Sequence, residues 1–156
     1  MKIKALMISD VKCCSTQDTL NTAAQIMWDN DIGAVPVVDE DGRLRGMLTD
    51  RDVCMAAYLR GITLKDAITA SVMTQRVFSC TPEDDLSEAR KLMREKQLRR
   101  IPVVDSNGRV AGIISIADIA QWAQEQAQAS TDAELTRVMA SVCARPHFIQ
   151  PEYSRG

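Results

Sequence analysis

The sequence Ala34-Val35-Pro36-Val37-Val38-Asp39 recurs in slightly altered form as Arg100-Ile101-Pro102-Val103-Val104-Asp105. A shift of 66 residues aligns residues 7–54 with 73–120 without a gap, and fifteen of the 48 aligned positions are identical. Unrelated segments would share far fewer residues. A repeat of this kind decides the architecture, because each copy is one supersecondary unit that buries its apolar face against the other. The chain is therefore organised as two copies of one unit.

The strands of each copy follow from short apolar runs. Residues 35–38 and 101–104 are rich in β-branched side chains, which is typical of buried strands. The Asp-Gly sequence at Gly42 and the Asn-Gly sequence at Gly108 predict hairpin turns. Return strands are then predicted at residues 44–48 and 110–114. A shorter first strand is predicted at residues 11–14.

The helices are predicted from a hydroxyl residue followed three positions later by aspartate, a pattern typical of helix starts. It occurs at Ser15, Thr49, Thr81 and Ser115. The second helix of each copy should end near residues 60 and 128, with Gly61 as a C-terminal stop. The predicted fold class is α/β (α+β), with two tandem β-α-β-β-α repeats packed with pseudo-two-fold symmetry and a C-terminal helical tail.

The predicted domains follow from these elements. The first repeat covers residues 7–60, a connector that is partly helical at 64–69 covers 61–72, and the second repeat covers 73–125. Residues 126–156 form a C-terminal helix and a disordered tail. The tail helix begins at a capping-box pattern, Thr131 to Glu134, and the residues after Pro146 have little to bury.

Composition excludes several classes of function. The formal charge of −2 over 156 residues gives no general affinity for nucleic acid or an anionic membrane. No apolar run approaches the ~18 residues of a membrane span. The five cysteines match no disulfide scaffold, which indicates a reducing, cytoplasmic setting. No glycine-rich phosphate loop is present and His147 is the only histidine, so we expect no enzymatic activity.

The duplicated motifs resemble a pair of CBS domains (the cystathionine β-synthase domain family), also called a Bateman module, over residues 7–125. The residues that carry the resemblance are 34–39, Gly42, Gly46 and 49–52, with their counterparts 99–105, Gly108, Gly112 and 115–118. No catalytic domain is attached, so the chain is similar to stand-alone, bacterial-type CBS proteins. The resemblance implies a regulatory module that needs no cofactor. It implies an adenine nucleotide ligand (AMP, ADP or ATP) between the repeats, a homodimer and an unknown regulated protein partner.

The resemblance also implies two sites, one at Thr49 and Asp52 and the other at Ser115 and Asp118. In such sites the aspartate holds the ribose, the hydroxyl residue holds a phosphate at a helix N-terminus, and apolar strand residues cradle the adenine. Met47 and Ile113 are the candidate adenine contacts, although plain core packing explains them equally well. Without a ligand, the same hydroxyl–aspartate pattern is simply a helix cap.

The two predicted sites are not equivalent. The first adds Asp50 and Arg51, whereas the second has apolar residues there. Before the buried strand, the second copy is the one with charged residues, because Arg99 and Arg100 stand where the first copy has Gly33 and Ala34. Paired arginines can clamp a di- or triphosphate. We predict that the stronger site contains Ser115, Asp118, Arg99 and Arg100, or that both sites fill unequally.

Two alternatives remain. The repeats could form a ligand-free scaffold for dimerisation or protein contacts, with the motif residues acting only as caps. The adjacent thiols of Cys13 and Cys14 could instead form a redox sensor, although buried structural thiols are the simpler interpretation. Cys143 and His147 supply only two ligands, too few for a structural zinc, so no metal is expected.

Overall fold

The computed structural model describes residues 1–126 and 138–139. Two series of strands and helices follow one another along the chain, which confirms the mixed α/β class and the duplicated unit. The elements are β1 (Cys14–Ser15), α1 (Leu20–Asp29), β2 (Ala34–Val38), β3 (Leu44–Thr49), α2 (Asp50–Arg60), α3 (Leu86–Lys96), β4 (Arg100–Val104), β5 (Val110–Ser115) and α4 (Ile116–Gln126). Short 3-10 helices at Ile3–Ala5 and Thr69–Ser71 precede the two series.

Each repeat contributes one small sheet. In the first, β1 is parallel to β2, and β2 forms an antiparallel hairpin with β3. In the second, β4 and β5 form the same hairpin, and Cys80 makes a single parallel bridge to Val103 where the first repeat has β1. The first strand is shorter than predicted and begins three residues later, and residues 11 and 12 line a cavity together with residues of the second repeat instead of pairing in the sheet.

The predicted starts of two helices are wrong by about four residues. The Asp18 carboxylate accepts a hydrogen bond from the Ser15 backbone N–H at 2.7 Å, and Asp84 accepts from Thr81 at 2.7 Å. Each of these carboxylates therefore closes a turn that precedes the helix, and neither lies in the first turn of the helix itself. Helix α1 begins after Thr19, whose side chain accepts from the Thr22 N–H, and α3 begins after Asp85.

The hairpin turns form as predicted and are held by one aspartate each. Asp39 Oδ1 accepts from the Arg43 N–H at 2.9 Å, and Asp105 Oδ1 accepts from the Arg109 N–H at 2.9 Å. Gly42 in the first turn has a φ of 77°, which favours glycine. The hydrogen bond from the Arg43 backbone, followed by the Arg45 side chain, holds the pKa of Asp39 below its ordinary value.

Each repeat has its own hydrophobic core, and each core is completed by the segment that precedes the other repeat. Ile3 is fully buried in the core of the second repeat, and Leu6 and Met7 pack against that core. Conversely, Ala67 of the connector is buried in the core of the first repeat, and Met73 packs against it. Each segment thus covers the other half of the molecule, and this exchange ties the repeats together.

A pseudo-two-fold axis relates the halves, because their backbone hydrogen bonds recur at the same shift of 66 residues. The Ile3 N–H donates to Asp84 O at 2.9 Å, and the Thr69 N–H donates to Asp18 O at 2.8 Å. Across the axis, the Leu44 N–H donates to Gly108 O, and its counterpart Val110 donates to Gly42 O. The predicted packing symmetry is therefore confirmed.

Two predictions for the connecting segments have different outcomes. The helix expected at residues 64–69 is replaced by a turn followed by the 3-10 helix Thr69–Ser71. The carbonyls of Leu64 and Ala67 accept hydrogen bonds from the first turn of α1, so they are not available to a helix. The predicted tail helix and disordered tail lie almost wholly outside the described residues. Within them, Val138 is buried in the core of the second repeat.

Candidate functional site

A cavity of about 380 Å³ lies between the two repeats. The first repeat contributes the segment before β1, the turn after α1 and the start of β2. The second repeat contributes the start of β4, the end of β5 and the first turn of α4. The lining residues are Ile8, Asp10, Val11, Lys12, Asn30, Asp31, Ile32, Gly33, Ala34, Pro36, Arg100, Ile113, Ser115 and Asp118. A molecule bound here would contact both halves at once.

The junction between β5 and α4 supplies the hydroxyl and carboxylate of this cavity. Asp118 Oδ2 accepts from both the backbone N–H and the hydroxyl of Ser115, each at 2.7 Å. The Ser115 hydroxyl oxygen in turn accepts from the Asp118 N–H at 3.2 Å. The helix cap therefore orients the Asp118 carboxylate through Oδ2 at a position that lines the cavity.

The junction between β3 and α2 has the same geometry. Thr49 donates to Asp52 Oδ2 through its N–H at 2.9 Å and its hydroxyl at 2.7 Å, and together they form a capping box. Met47, the counterpart of Ile113, lies on β3 and exchanges backbone hydrogen bonds with Thr74 at 3.0 and 2.9 Å. The pattern that predicts a ligand thus also forms a complete helix cap at both positions.

The charges around the Ser115 cavity are mixed. Lys12 is paired with Asp10, with 2.9 Å between Nζ and Oδ2. Arg100 is half-buried at the start of β4, and Asp31 is an exposed residue with a φ of 51° in the turn between α1 and β2. With Asp118, the lining carries three carboxylates and two cations, one of which is already paired. Such a cavity attracts a polar ligand but not a strongly anionic one.

The structure brings six of the predicted site residues to this cavity: Gly33, Ala34, Arg100, Ile113, Ser115 and Asp118. The others lie elsewhere. Arg99 is exposed and is not among the lining residues; its carbonyl accepts from the Ile116 N–H at 2.9 Å. Asp50 lines a different depression and donates its N–H to Gly33 O at 3.1 Å, and Arg51 is exposed on the first turn of α2. Thr49, Asp52 and Met47 belong to the β3–α2 junction.

Sequence reasoning missed the residues that the exchanged segment brings to the cavity. Ile8 reaches it because this segment crosses to the second repeat, where the Ile8 N–H donates to Ile113 O at 2.9 Å. Asp10, Lys12 and Asn30 lie within the repeat but have different residues at the equivalent positions of the second copy, so the repeat gave no signal for them. The one available signal was the position of Asn30 just upstream of Gly33 and Ala34, which were predicted to line a cleft.

Comparison with known proteins fits this geometry. The model of the CBS domain family matches residues 3–58 and 62–125. The chain belongs to the CBS domain family. Over 122 residues, which cover 78% of this chain and 85% of the relative, it is 36% identical to hypoxic response protein 1 of Mycobacterium tuberculosis. It is also 36% identical over 138 residues to the CBS domain-containing protein YhcV of Bacillus subtilis, covering 87% of this chain and 94% of YhcV.

Solved CBS structures share the fold. The crystal structure of hypoxic response protein I with two coordinated zinc ions is 34% identical, with a TM-score of 0.71 over 78% of this chain and 98% of that chain. CBSX2 in complex with AMP is 20% identical, with a TM-score of 0.72 over 81% and 98%. A CBS domain pair in complex with 5-methylthioadenosine and S-adenosyl-L-methionine is 24% identical, with a TM-score of 0.69 over 81% and 98%.

Hypoxic response protein I was solved with two coordinated zinc ions, but the described part of this chain shows no cluster of side chains that could bind a metal. Residues 1–126 and 138–139 contain no group of three or more histidine, cysteine, aspartate or glutamate side chains that could hold a metal ion. Cys143 and His147, which were judged too few for a zinc site, lie outside the described residues. Among the helices described, none is long and apolar enough to span a bilayer.

The thiols of the described cysteines are weakly reactive where they are buried. Burial raises the pKa of Cys13, and burial together with the charge of Asp18 raises the pKa of Cys14 to about 12. Burial and the charges of Asp84 and Glu88 raise the pKa of Cys80 to about 11. Because the thiolate is the nucleophile, these values disfavour the redox-sensor alternative at neutral pH.

Proposed function

We propose that this CBS pair is a regulatory module, not an enzyme, which binds an adenine nucleotide in the Ser115 cavity. The observation that carries the proposal is the composition of that cavity, which joins residues of both repeats around one cap carboxylate. Its volume of about 380 Å³ falls in the usual range of roughly 300–1,000 Å³ for small-molecule sites. Structures of the same fold that hold AMP or S-adenosyl-L-methionine support the choice of an adenosine ligand.

The proposed contacts follow from the chemistry of the lining. Asp118 Oδ1 accepts hydrogen bonds from the ribose hydroxyls. The Arg100 guanidinium binds a phosphate through charge-assisted hydrogen bonds, and the Ser115 hydroxyl turns from Asp118 toward the same phosphate. Ile113 and Pro36 pack on the faces of the adenine ring. Arg51, Asp50 and Arg99 lie away from these contacts, so they take no part in this cavity.

Occupancy is transmitted because the ligand contacts both halves. Binding shifts a conformational or oligomeric equilibrium by as much as the ligand's affinity differs between the two states. Gly33 and Ala34 lie on one repeat, and Arg100 and Ser115 lie on the other. A ligand that holds both sets therefore fixes the angle between the repeats, and a partner protein can read that angle.

We also propose that the module forms a homodimer through α1 and α2. Trp28 is 85% exposed and Tyr58 is 80% exposed, and Met55 and Leu59 are also exposed large apolar residues of these two helices. The second repeat differs, because the exposed positions of α3 are charged or small and polar. Contact with a second copy of the chain is the simplest way to bury these exposed apolar side chains. The free cysteines in the described residues fit a reducing, cytoplasmic location.

Calorimetric titration of the full chain with AMP, ADP, ATP, NAD and S-adenosyl-L-methionine tests the nucleotide proposal. We expect at least one adenosine ligand to bind wild type and Asp118→Ala to lose that binding at least tenfold. Asp18→Ala is the matched control, since Asp18 also accepts a 2.7 Å bond from the third residue before it but does not line the cavity. A flat response to every ligand would overturn the proposal.

The runner-up is a ligand-free scaffold, and one observation favours it. The Ser115 hydroxyl and the Asp118 carboxylate already satisfy each other in a helix cap, and so do Thr49 and Asp52. A scaffold would show no nucleotide response but would still dimerise. The same titration, combined with a measurement of molar mass, therefore separates the two functions.

A further inference from the structure

The pseudo-two-fold axis relates the Ser115 cavity to the junction of β3 and α2, and we call the surface that the counterpart residues form there the second cleft. Each residue of the Ser115 cavity has a counterpart 66 positions away, and the backbone contacts around the two places match. Ile113 exchanges hydrogen bonds with Ile8 at 2.9 Å in both directions, as Met47 does with Thr74 at 3.0 and 2.9 Å. The residues that correspond to the cavity lining therefore surround Thr49 and Asp52.

The charge of this second cleft is the reverse of the first. The Ser115 cavity has three carboxylates and two cations, and Asp10 neutralises one of those cations. In the second cleft, Arg76 replaces Asp10, Lys96 replaces Asn30, and Arg99 replaces Gly33. Arg100 lies near the axis beside Ala34, its own counterpart, and both line the first cavity. The second cleft thus has three cations that do not line the first cavity, with Asp52 as the single carboxylate among the counterparts.

Direct contacts bring two of these cations together. Arg76 Cζ lies 5.8 Å from the centre of the Phe78 ring, and Lys96 Nζ lies 5.1 Å from it. Phe78 stands where the first cavity has Lys12. Within the described residues, Arg76, Lys96, Arg99 and Arg100 form no ion pair with an acidic side chain. Their positive charge is therefore not cancelled locally, in contrast to that of Lys12.

We propose that the cleft at Thr49 and Asp52 selects the polyphosphate of a nucleoside di- or triphosphate, whereas the Ser115 cavity takes an adenosine ligand with at most one phosphate. This inference rests on the proposed function. Several phosphates bind best where several cations donate charge-assisted hydrogen bonds, and arginine suits this geometry. Carboxylates such as Asp10 and Asp31 repel each added phosphate in the Ser115 cavity. One chain would then hold two different ligands.

The test exchanges charges between the repeats. The double variant Lys96→Asn/Arg99→Gly gives the second repeat the residues that the first repeat has at the equivalent positions. We expect this variant to bind ATP and inorganic tripolyphosphate at least tenfold more weakly in calorimetric titration, while its affinity for AMP changes less than twofold. Lys65→Asn/Lys91→Asn is the control, since it removes the same charge from exposed positions outside the described lining of the cavity.

The outcomes separate this inference from the proposed function. Suppose that AMP and ATP both bind wild type, but the double variant lowers the affinity for both equally or for neither. Selection by charge is then wrong, and nucleotide binding stands. An equal loss of ATP binding in the control variant would also overturn it, because net charge alone would then explain the effect. If adenosine ligands fail to bind but tripolyphosphate binds and depends on Lys96 and Arg99, the polyphosphate cleft stands and the nucleotide function fails. If no probe binds, both are wrong.

Discussion

Gly46 and Met73 lie so close that a Cβ atom on Gly46 would be 2.5 Å from the Met73 Sδ atom and 3.0 Å from the carbonyl oxygen of Thr74. Gly112 stands in the same relation to Met7 and Ile8 in the other half, with a distance of 2.6 Å to Sδ. Glycine on β3 and β5 is therefore required by the close approach of the exchanged segments, and both φ angles are ordinary.

Replacing Gly46 by alanine should destabilise the protein through this contact. Met73 can move, but the Thr74 backbone cannot without breaking its hydrogen bonds to Met47. We expect Gly46→Ala to lower the free energy of unfolding by about 1–3 kcal/mol in urea denaturation. The double variant Gly46→Ala/Met73→Ala should lose less than the sum of the two single variants, since alanine removes the crowded sulfur. Strict additivity would contradict the packing argument.

The equivalent caps allow stability and ligand binding to be separated. Thr49 and Ser115 make the same three hydrogen bonds with their aspartates, at nearly equal lengths. Thr49→Ala and Ser115→Ala should each lower the free energy of unfolding by about 1 kcal/mol without ligand. Only Ser115→Ala should weaken AMP in calorimetric titration, because only Ser115 lines the cavity. An equal loss of AMP affinity in both variants would contradict the assignment of AMP to that cavity.

The repeat made the strands, the hairpins and the second helix of each copy predictable. Apolar periodicity and the Asp-Gly and Asn-Gly turns leave a direct trace in the sequence. The helix starts at Ser15 and Thr81 were wrong because an aspartate can bond to a turn as well as to a helix end. The exchange of segments left almost no pattern in the sequence, because it depends on backbone hydrogen bonds such as those of Ile3 and Thr69, which any residue type can make. Only the identity of Met7 and Met73 hinted at it.

The candidate site was predictable only where it coincides with the repeated motif. Ser115 and Asp118 were found because their counterparts occupy the same place in the first copy. Of the residues that face them, Gly33, Ala34 and Arg100 were also predicted site residues, but the sequence did not show that one cavity combines a cap from one repeat with a strand start from each repeat. Sequence reasoning grouped Arg99 with Ser115 on the basis of their shared repeat, but the axis brings Gly33 there instead.

The buried thiols predict a loss of stability at alkaline pH. Folding raises the pKa of Cys14 to about 12 and that of Cys80 to about 11, from an ordinary value of 9.0. Above pH 9 the unfolded chain releases these protons while the folded chain keeps them, so the free energy of unfolding falls as pH rises toward 11. Each thiol contributes at most about 1.4 kcal/mol per pH unit.

Urea denaturation at pH 7.5, 9.5 and 10.5 measures this effect. Cys14→Ala/Cys80→Ala should be less stable than wild type at pH 7.5, because two buried side chains are truncated. Its stability should nevertheless fall less steeply above pH 9, because the lysines and tyrosines titrate equally in both proteins. Cys54→Ala is the control, since Cys54 is exposed and should leave the wild-type slope unchanged. Parallel curves for wild type and the double variant would contradict the prediction.

The apolar face of α1 and α2 predicts the effect of a charge on self-association. Tyr58 is 80% exposed on α2, and a glutamate there keeps the helix but would bury an unpaired carboxylate in the proposed interface. We expect Tyr58→Glu to halve the molar mass measured by light scattering after size-exclusion chromatography, with circular dichroism unchanged. Lys91→Glu, an exposed position on α3, should remain a dimer. If Lys91→Glu dissociates and Tyr58→Glu does not, the copies instead meet through the second repeat, and the unpartnered face of the first repeat is left to another protein.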